Sequence, residues 1–359
     1  MEIKNLVRKN IQALKPYSSA RSEFKGAAEV FLDANENPFD TGLNRYPDPL
    51  QWKVKAQIAD FKGVPVENIF LGNGSDEVID LLVRIFCEPG EDHIIILPPT
   101  YGMYQVSADI ANVEIRSVSL TADFQPNVEQ ILSSANENSK ILFICSPNNP
   151  TGNNIHPDKI RALAQGFSGI VAIDEAYIDF SSQASCTELL SEFPNLVVMQ
   201  TFSKAWGLAG IRLGMAFASE EIIHYFNKVK PPYNINQLTQ TAALEALQNK
   251  AQQEQMVRTI IGQRALLQQY LMSLDFVERI YPSDANFLLV KVQDPKGTYK
   301  YLVEQGIIVR DRSNVALCEG CLRITVGTPE ENEKLVQALL NPPQGRTLQA
   351  TTELQNDNS

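Results

Sequence analysis

Short apolar runs rich in valine and isoleucine recur along the first two thirds of the chain, and they constrain the fold more than any other feature. The clearest runs occupy residues 94–97, 141–145, 170–173, 196–199 and 215–218. Patterns with helical spacing lie between them, for example at 76–86 and 158–165. Strands that alternate with helices in this way build βα units around a mostly parallel sheet. The sequence therefore predicts an α/β fold.

The pattern changes after residue 274. A proline-free helical region at 237–274 precedes shorter strand runs at 286–292, 306–309 and 321–326, and a last helix at 330–340. The 359 residues exceed the roughly 250–300 at which one core tends to divide. We therefore predict a larger α/β domain at 39–274 and a smaller α+β domain that combines 1–38 with 275–341. Residues 342–359 are polar, and we expect a disordered tail there.

Composition argues against several classes of protein. The net charge of −11 disfavours a nucleic-acid surface, which needs clustered lysine and arginine. Neither a membrane helix nor the apolar core of a signal peptide is visible, so we expect a cytoplasmic protein. Five scattered cysteines fit a reducing compartment. Cys318 and Cys321 form a CxxC, but no histidine is clustered with them, so ordinary strand and loop cysteines are favoured and no metal is expected.

Polar motifs follow several of the predicted strands. TFSKAWGLAGIRLG (201–214) follows the run at 196–199, IVAIDEAYIDF (170–180) places Asp174 at a strand end, and SPNNPTG (146–152) follows the run at 141–145. Open α/β sheets bind ligands beyond the carboxyl ends of their strands. An amine such as Lys204 can act there as a nucleophile and proton carrier, and a carboxylate favours an adjacent protonated nitrogen. We therefore expect a site around these two residues.

From about residue 17 to residue 328 the chain resembles fold-type-I pyridoxal-phosphate aminotransferases, in the histidinol-phosphate aminotransferase branch. The serine, lysine and arginine of the TFSK segment have a spacing far more specific than a lone glycine-rich turn. The resemblance implies a large, mostly parallel sheet domain with a smaller α+β domain, and pyridoxal 5'-phosphate as the cofactor. It implies that Lys204 binds this cofactor covalently and that Asp174 keeps its pyridine nitrogen protonated. Tyr177 and Asn149, rather than Asn148, are expected to bind its phenolic oxygen.

The same resemblance places the cofactor phosphate at the turn in LGNGSDEVIDLLVRIF (71–86), where backbone N–H groups at a helix start can face an anion. The carboxylate of Asp76 is expected to cap its own helix. Taken singly, these residues also have ordinary interpretations: Lys204 as a solvated lysine, Asp174 as a helix-capping aspartate, and Tyr177 and Tyr101 as core tyrosines. The remaining residues expected to contact the cofactor are Gly74, Ser75, Asp76, Thr201, Ser203, Arg212, Tyr101 of LPPTYGMY (97–104), stacked on the ring, and Tyr46 of NRYPDP (44–49), reaching in from a second subunit.

Two arginines, thirteen residues apart on neighbouring predicted strands, suggest what the substrate carries. The resemblance implies that Arg323 matches the arginine that binds the substrate α-carboxylate in aminotransferases generally. It also implies that Arg310, with Tyr17, marks the branch that handles a phosphate, whose charge can use all three donors. A salt bridge with Asp311 or Glu319 is the alternative for Arg310. Arg312 is expected to be a solvated neighbour, and Asn35 and Asn149 are expected in the substrate cleft.

The resemblance implies amino-group transfer between L-histidinol phosphate and 2-oxoglutarate, giving imidazole-acetol phosphate and L-glutamate, in a homodimer with shared active sites. An aromatic amino-acid aminotransferase and a threonine-phosphate decarboxylase are alternatives on the same scaffold, because a fold alone does not decide the substrate. A non-catalytic ligand sensor is a more remote alternative. Lys204 and Asp174 are both present, which disfavours it.

Overall fold

The computed structural model of the chain describes residues 2–16 and 30–340. Tyr17 and the predicted tail at 342–359 lie outside the described residues. The strands are β1 (Ile69–Asn73), β2 (His93–Ile96), β3 (Glu114–Ser117), β4 (Ser139–Cys145), β5 (Ile170–Asp174), β6 (Leu196–Thr201), β7 (Leu213–Ala218), β8 (Val277–Ile280), β9 (Phe287–Val292), β10 (Arg310–Asp311) and β11 (Cys321–Thr325). The helices are α1 (Lys9–Ala13), α2 (Trp52–Lys62), α3 (Gly74–Phe86), α4 (Met103–Ile110), α5 (Val128–Ser134), α6 (Pro157–Gly166), α7 (Glu220–Val229), α8 (Gln237–Gln248), α9 (Lys250–Met272), α10 (Pro295–Glu304) and α11 (Pro329–Leu340).

Seven strands form the larger sheet, in the order β1-β7-β6-β5-β4-β2-β3. Strands β2 to β6 pair in parallel, whereas β7 runs antiparallel to both β1 and β6. Side chains alternate between the two faces: Phe70 packs in the layer of α3 and α7, and Leu71 packs in the layer of α2 and α6. Burial of both faces explains why the strands read as continuous apolar runs. The predicted α/β fold with a mostly parallel sheet is confirmed.

A smaller antiparallel sheet follows, in the order β10-β11-β9-β8. Leu288 and Leu322 on its strands pack with Leu267 of α9 and Leu335 of α11 in a separate hydrophobic cluster. These elements have the α+β character expected for the C-terminal part of the chain.

Residues 2–16 pack away from this smaller sheet. Ile3, Val7 and Ile11 lie in the hydrophobic layer of α3 and α7, and the guanidinium of Arg8 pairs with Glu88 at 3.0 Å. These contacts favour assigning the segment to the larger sheet rather than to the smaller domain. The division of the chain into two domains stays a prediction.

Several element boundaries differ from the expectations. The helical region at 237–274 is two helices that meet at Asn249, and the run at 306–309 precedes the short strand β10 instead of forming it. The backbone N–H groups of Gly306 and Ile307 bond to carbonyls of the preceding helix, so this run closes α10.

All five cysteines are buried and unpaired, including Cys318 and Cys321. Within the described residues no group of acidic, histidine or cysteine side chains could hold a metal ion. The interpretation of the CxxC as ordinary structural cysteines is thus favoured over a zinc site. Among residues 2–16 and 30–340, no helix is long and apolar enough to cross a bilayer.

Candidate active site

A cavity of about 150 Å³ lies at the carboxyl ends of β4, β5 and β6, against the start of α3. This is the edge at which open α/β sheets bind ligands. Every residue expected to contact the cofactor lines it, apart from Tyr46: Gly74, Ser75, Asp76, Tyr101, Asn149, Asp174, Tyr177, Thr201, Ser203, Lys204 and Arg212. Segments far apart in the sequence thus converge because their strands end side by side.

Asp174 is a buried carboxylate held by two donors. The hydroxyl of Tyr104 donates to its Oδ2 at 2.7 Å, and the backbone N–H of Ala176 donates to Oδ1 at 3.1 Å. Burial raises the pKa of Asp174, and these two hydrogen bonds oppose that rise. No cation forms an ion pair with it in the described part of the chain. Two hydrogen bonds therefore orient the carboxylate.

Tyr104 is a residue of this site that the sequence analysis missed. It is fully buried, and its ring stacks on Phe143 with centroids 4.5 Å apart. Tyr101 lies two residues before the start of α4, and its ring contacts that of Tyr104 edge to face. A buried aromatic residue in a helix is usually a core residue. Only its position three residues after Tyr101 could have suggested its role.

Lys204 follows β6 and extends into the cleft, with Nζ 5.7 Å from the centre of the Tyr177 ring. Its side chain is accessible from the open cleft, although protein surrounds much of it. Desolvation, followed by the positive charge of Arg323, lowers the pKa of Lys204, while Asp174 opposes the change. A lowered pKa makes the neutral, nucleophilic amine more available than in an ordinary surface lysine.

The turn between β1 and α3 has a shape that only glycine permits. Gly74 has φ +71°, and a Cβ there would lie 2.7 Å from Nη2 of Arg212. A Cβ on Gly214 would lie 2.3 Å from the backbone nitrogen of Ser75. Backbone and guanidinium therefore meet at a helix N-terminus, where N–H groups lack intrahelical acceptors. Such an arrangement of N–H donors and a guanidinium is suited to an anion.

Asp76 does not cap its own helix as expected. Its carboxylate accepts a hydrogen bond from the Tyr101 hydroxyl at 3.1 Å and lies 3.5 Å from Nη2 of Arg212. Glu77 instead accepts from the backbone N–H of Asn73 at the start of α3. The carboxylate of Asp76 therefore positions the arginine and the tyrosine that border the cavity.

Asn149 connects the cavity to the smaller sheet. Its Nδ2 donates to the Tyr177 hydroxyl at 3.4 Å, and its Oδ1 accepts from the guanidinium of Arg323. The side-chain amide of the neighbouring Asn148 instead donates to the carbonyl of Pro99 at 2.8 Å and to Oγ1 of Thr151 at 2.7 Å. The choice of Asn149 over Asn148 thus has a geometric basis.

Arg310 and Arg323 lie directly opposite each other in the β10–β11 pair. Arg310 is exposed, and it forms no salt bridge with Asp311 or Glu319 in the described chain. Arg312 is not the solvated neighbour that we expected. It is partly buried, and desolvation followed by the charges of Arg323 and Arg310 lowers its pKa.

Tyr46 and Asn35 lie in a second concavity of about 450 Å³, apart from Lys204. Tyr46 is 51% exposed and stacks on Tyr233 with centroids 4.5 Å apart. Among the described residues that line the Lys204 cavity, neither Tyr46 nor Asn35 is found.

Comparison with known proteins places this site in a family. A family model described as "Aminotransferase class I and II" matches residues 20–339. A histidinol-phosphate aminotransferase of Parabacteroides distasonis is 56% identical over 340 residues, which cover 95% of this chain and 99% of that protein. Another from Cytophaga hutchinsonii is 56% identical over 339 residues, covering 93% and 97% of the two chains.

The crystal structure of histidinol-phosphate aminotransferase from Sinorhizobium meliloti in complex with pyridoxal-5'-phosphate superimposes with a TM-score of 0.76. It covers 82% of each chain at 23% identity, a level that speaks for the fold alone. Fold, family match and near-full-length identity agree. The chain belongs to the class I and II aminotransferases and, within them, to the histidinol-phosphate aminotransferase family.

Proposed function

We propose that this enzyme transfers the amino group between L-histidinol phosphate and 2-oxoglutarate, with imidazole-acetol phosphate and L-glutamate as the other pair. The observation that carries the proposal is the meeting of two sets of residues at one cleft. Lys204 and Asp174 lie on the larger sheet, and Asn149 joins them to the arginines of the smaller sheet. The curated relatives, similar over nearly the whole chain, carry the name of this activity.

The residues present fit pyridoxal 5'-phosphate as the cofactor. The turn at Gly74, whose positive φ favours glycine, lies beside Arg212 and the start of α3 and suits the cofactor phosphate. Asp174, which is buried and forms no ion pair with a cation among the described residues, suits a protonated ring nitrogen, and the half-buried Tyr101 offers an aromatic face. Lys204 would hold the cofactor covalently, and Asn149 and Tyr177 would hold its phenolic oxygen.

When bound, the cofactor supplies an electron sink for negative charge at the substrate Cα. Lys204 takes the proton from that carbon and returns it, a role that its lowered pKa favours. Burial raises the pKa of Asp174, and the hydrogen bonds from Tyr104 and Ala176 favour its ionised form against that rise. Ping-pong kinetics follow, because the amino group leaves the donor before the acceptor binds.

The arginines of the smaller sheet would recognise the anionic end of each substrate. Arg323 already contacts Asn149 at the edge of the cavity, and Arg310 is its register partner. A planar guanidinium can bind a carboxylate or a phosphoryl group through two parallel hydrogen bonds. Histidinol phosphate, glutamate and 2-oxoglutarate can therefore use the same arginines in turn.

A homodimer with shared sites is part of this proposal. In the described part of the chain Tyr46 lines a different cavity from Lys204 and is half exposed, as expected of a residue that serves a second subunit. Heterodimers of Tyr46→Phe and Lys204→Ala subunits should regain activity above either parent, since one site then carries neither defect. No recovery in verified heterodimers would assign Tyr46 to its own chain.

We infer the cytoplasm as the compartment, since all five thiols are unpaired.

A panel of amino donors tests the proposed activity. Histidinol phosphate, phenylalanine, tyrosine and threonine phosphate would be compared by kcat/KM, each with 2-oxoglutarate as acceptor. We expect histidinol phosphate to lead by at least tenfold, about 1.4 kcal/mol of preferential transition-state binding. Equal or faster turnover of phenylalanine would favour an aromatic aminotransferase, and release of CO₂ from threonine phosphate would favour the decarboxylase.

A further inference from the structure

Arg312 continues the strand pairing that aligns Arg310 with Arg323. Its backbone N–H donates to the carbonyl of Cys321 at 2.9 Å, one step beyond the β10–β11 register. Side chains alternate along paired strands, so Arg312 belongs to the face of Arg310, two residues earlier, and of its partner Arg323. This face is the one turned to the cleft, because Arg323 contacts Asn149 and lies 5.3 Å from the Phe287 ring.

These three guanidinium groups share an unusual lack of counter-ions. Among residues 2–16 and 30–340, no carboxylate lies within ion-pair distance of any of them. Arg312 is partly buried, and its Nε atom is shielded from solvent without a hydrogen-bond partner. A buried donor that lacks an acceptor is costly, and a buried unpaired charge is more so. A structural arginine would be paired at such a position, whereas a binding residue is left open for its ligand.

The charge of Arg312 reaches the catalytic cavity. Burial raises the pKa of Tyr177, and the charge of Arg323 and, less strongly, that of Arg312 oppose this rise. Tyr177 lines the cavity and bonds to Asn149, the same residue that Arg323 contacts. Arg312 therefore belongs to the electrostatic surroundings of the substrate, on the side of the smaller sheet.

We propose that Arg312 is a third guanidinium of the substrate's anion site and a specificity determinant that favours a phosphoryl dianion over a carboxylate. The inference rests on the proposed function, because the substrate it reads is the phosphate of the amino donor. A carboxylate has one negative charge and two oxygens, which a single arginine can satisfy. A phosphoryl dianion has two charges and three terminal oxygens, so it attracts Arg312 more strongly and has acceptor oxygens left for it.

The test compares Arg312→Gln, which removes the charge but keeps an amide donor, with Arg312→Lys, which keeps the charge without the planar fork. Arg258→Gln is the matched control, because Arg258 lies exposed on α9, where it pairs with Glu254 at 3.8 Å and donates to Gln255 at 3.1 Å. The probe is inorganic phosphate, whose dissociation constant for each holoenzyme is measured by calorimetry. KM and kcat for histidinol phosphate and for phenylalanine are then determined on the same preparations.

We expect Arg312→Gln to weaken phosphate binding by about 10- to 100-fold, the effect of losing one charged hydrogen-bonding partner. KM for histidinol phosphate should rise by a similar factor, with kcat and the phenylalanine parameters nearly unchanged. Arg312→Lys should lie between Arg312→Gln and the wild type. A phosphate dissociation constant in Arg312→Gln within twofold of the Arg258→Gln control overturns the proposal, as does an equal loss with both donors.

Two features keep this outcome separate from that of the proposed function. If the wild type did not use histidinol phosphate, the proposed activity would fail, yet the phosphate titrations would still decide the role of Arg312. If Arg312→Gln did not fold, Arg312→Lys would carry the test alone, and an unchanged phosphate dissociation constant in it would overturn the proposal.

Discussion

The charged side chains on the two sides of the cleft differ in whether they have partners within the described chain. On the larger sheet, Asp174 has two hydrogen-bond donors, and Asp76 is matched with Arg212 and Tyr101. On the smaller sheet, the described chain offers no carboxylate to Arg310, Arg312 or Arg323. Charges that are satisfied within the protein are fixed in place before any ligand binds. Charges that are left open can accept an anion and release it.

We call the larger-sheet side of the cleft, with Asp174 and Asp76, the holding side. We call the smaller-sheet side, with Arg310, Arg312 and Arg323, the exchanging side. Pyridoxal 5'-phosphate would stay on the larger sheet through every turnover, so rigid, pre-oriented groups suit it. Substrates enter and leave once in each half-reaction, so open guanidinium groups suit them. Changes on the holding side should therefore affect all donors alike, and changes on the exchanging side should affect phosphorylated donors most.

Lys204→Ala should have the largest effect, a loss of about 10⁴-fold or more with every donor, because the proton carrier is removed. Borohydride reduction of the wild-type holoenzyme followed by peptide mass mapping should find the cofactor mass on Lys204. Labelling at a different lysine would remove Lys204 from its proposed role.

Asp174→Asn should lower turnover of all donors by more than about 100-fold and weaken cofactor binding, because the buried negative charge is lost. Asp174→Glu should retain more activity, since it keeps the charge. Rates and cofactor dissociation constants of the two variants provide the comparison. Equal activity of the Asn and Glu variants would contradict an electrostatic role.

Arg310→Ala should lower kcat/KM for some amino donors much more than for others. Loss of one charged partner from the phosphate should cost about 2–4 kcal/mol, or roughly 30- to 1000-fold in kcat/KM for histidinol phosphate. Phenylalanine should lose less, because Arg323 alone can bind its carboxylate. The glutamate half-reaction should be followed separately by cofactor absorbance, since its side-chain carboxylate can also use Arg310. An equal loss with histidinol phosphate and phenylalanine would put Arg310 outside phosphate recognition.

Tyr104→Phe should have the smallest effect, roughly 2- to 10-fold on all donors, because one hydrogen bond to Asp174 is removed and the ring is kept. That hydrogen bond opposes the rise that burial causes in the pKa of Asp174, so its loss raises this pKa further. The carboxylate must be ionised to act, so the acid limb of the kcat/KM profile should move to higher pH. An unshifted acid limb would reduce Tyr104 to a packing role.

The holding side was largely predictable from the sequence. Lys204 and Asp174 follow strong strand patterns in specific motifs, and parallel strands bring their carboxyl ends to one edge. Periodicity carries no information on strand direction, so the antiparallel β7 was not foreseen. The contact of Tyr104 with Asp174 was not predicted, because a buried aromatic residue on a helix is usually a core residue.

The exchanging side was harder to predict. Arg310 and Arg323 came from the resemblance, and their direct pairing was found in the structure. From the sequence, Arg312 is expected to be a solvated neighbour of Arg310, whereas the structure places it partly buried. Its burial depends on the register of β10 against β11, which two strand residues are too few to encode locally.

The central claim is that the open arginines read a phosphate while the larger sheet performs the chemistry. Its most direct test is the half-reaction of the wild-type holoenzyme with histidinol phosphate and with histidinol, which differ only in the phosphate. The account predicts a kcat/KM about 10³-fold or more higher for histidinol phosphate, the combined effect of several charged hydrogen bonds. A ratio within tenfold would contradict it.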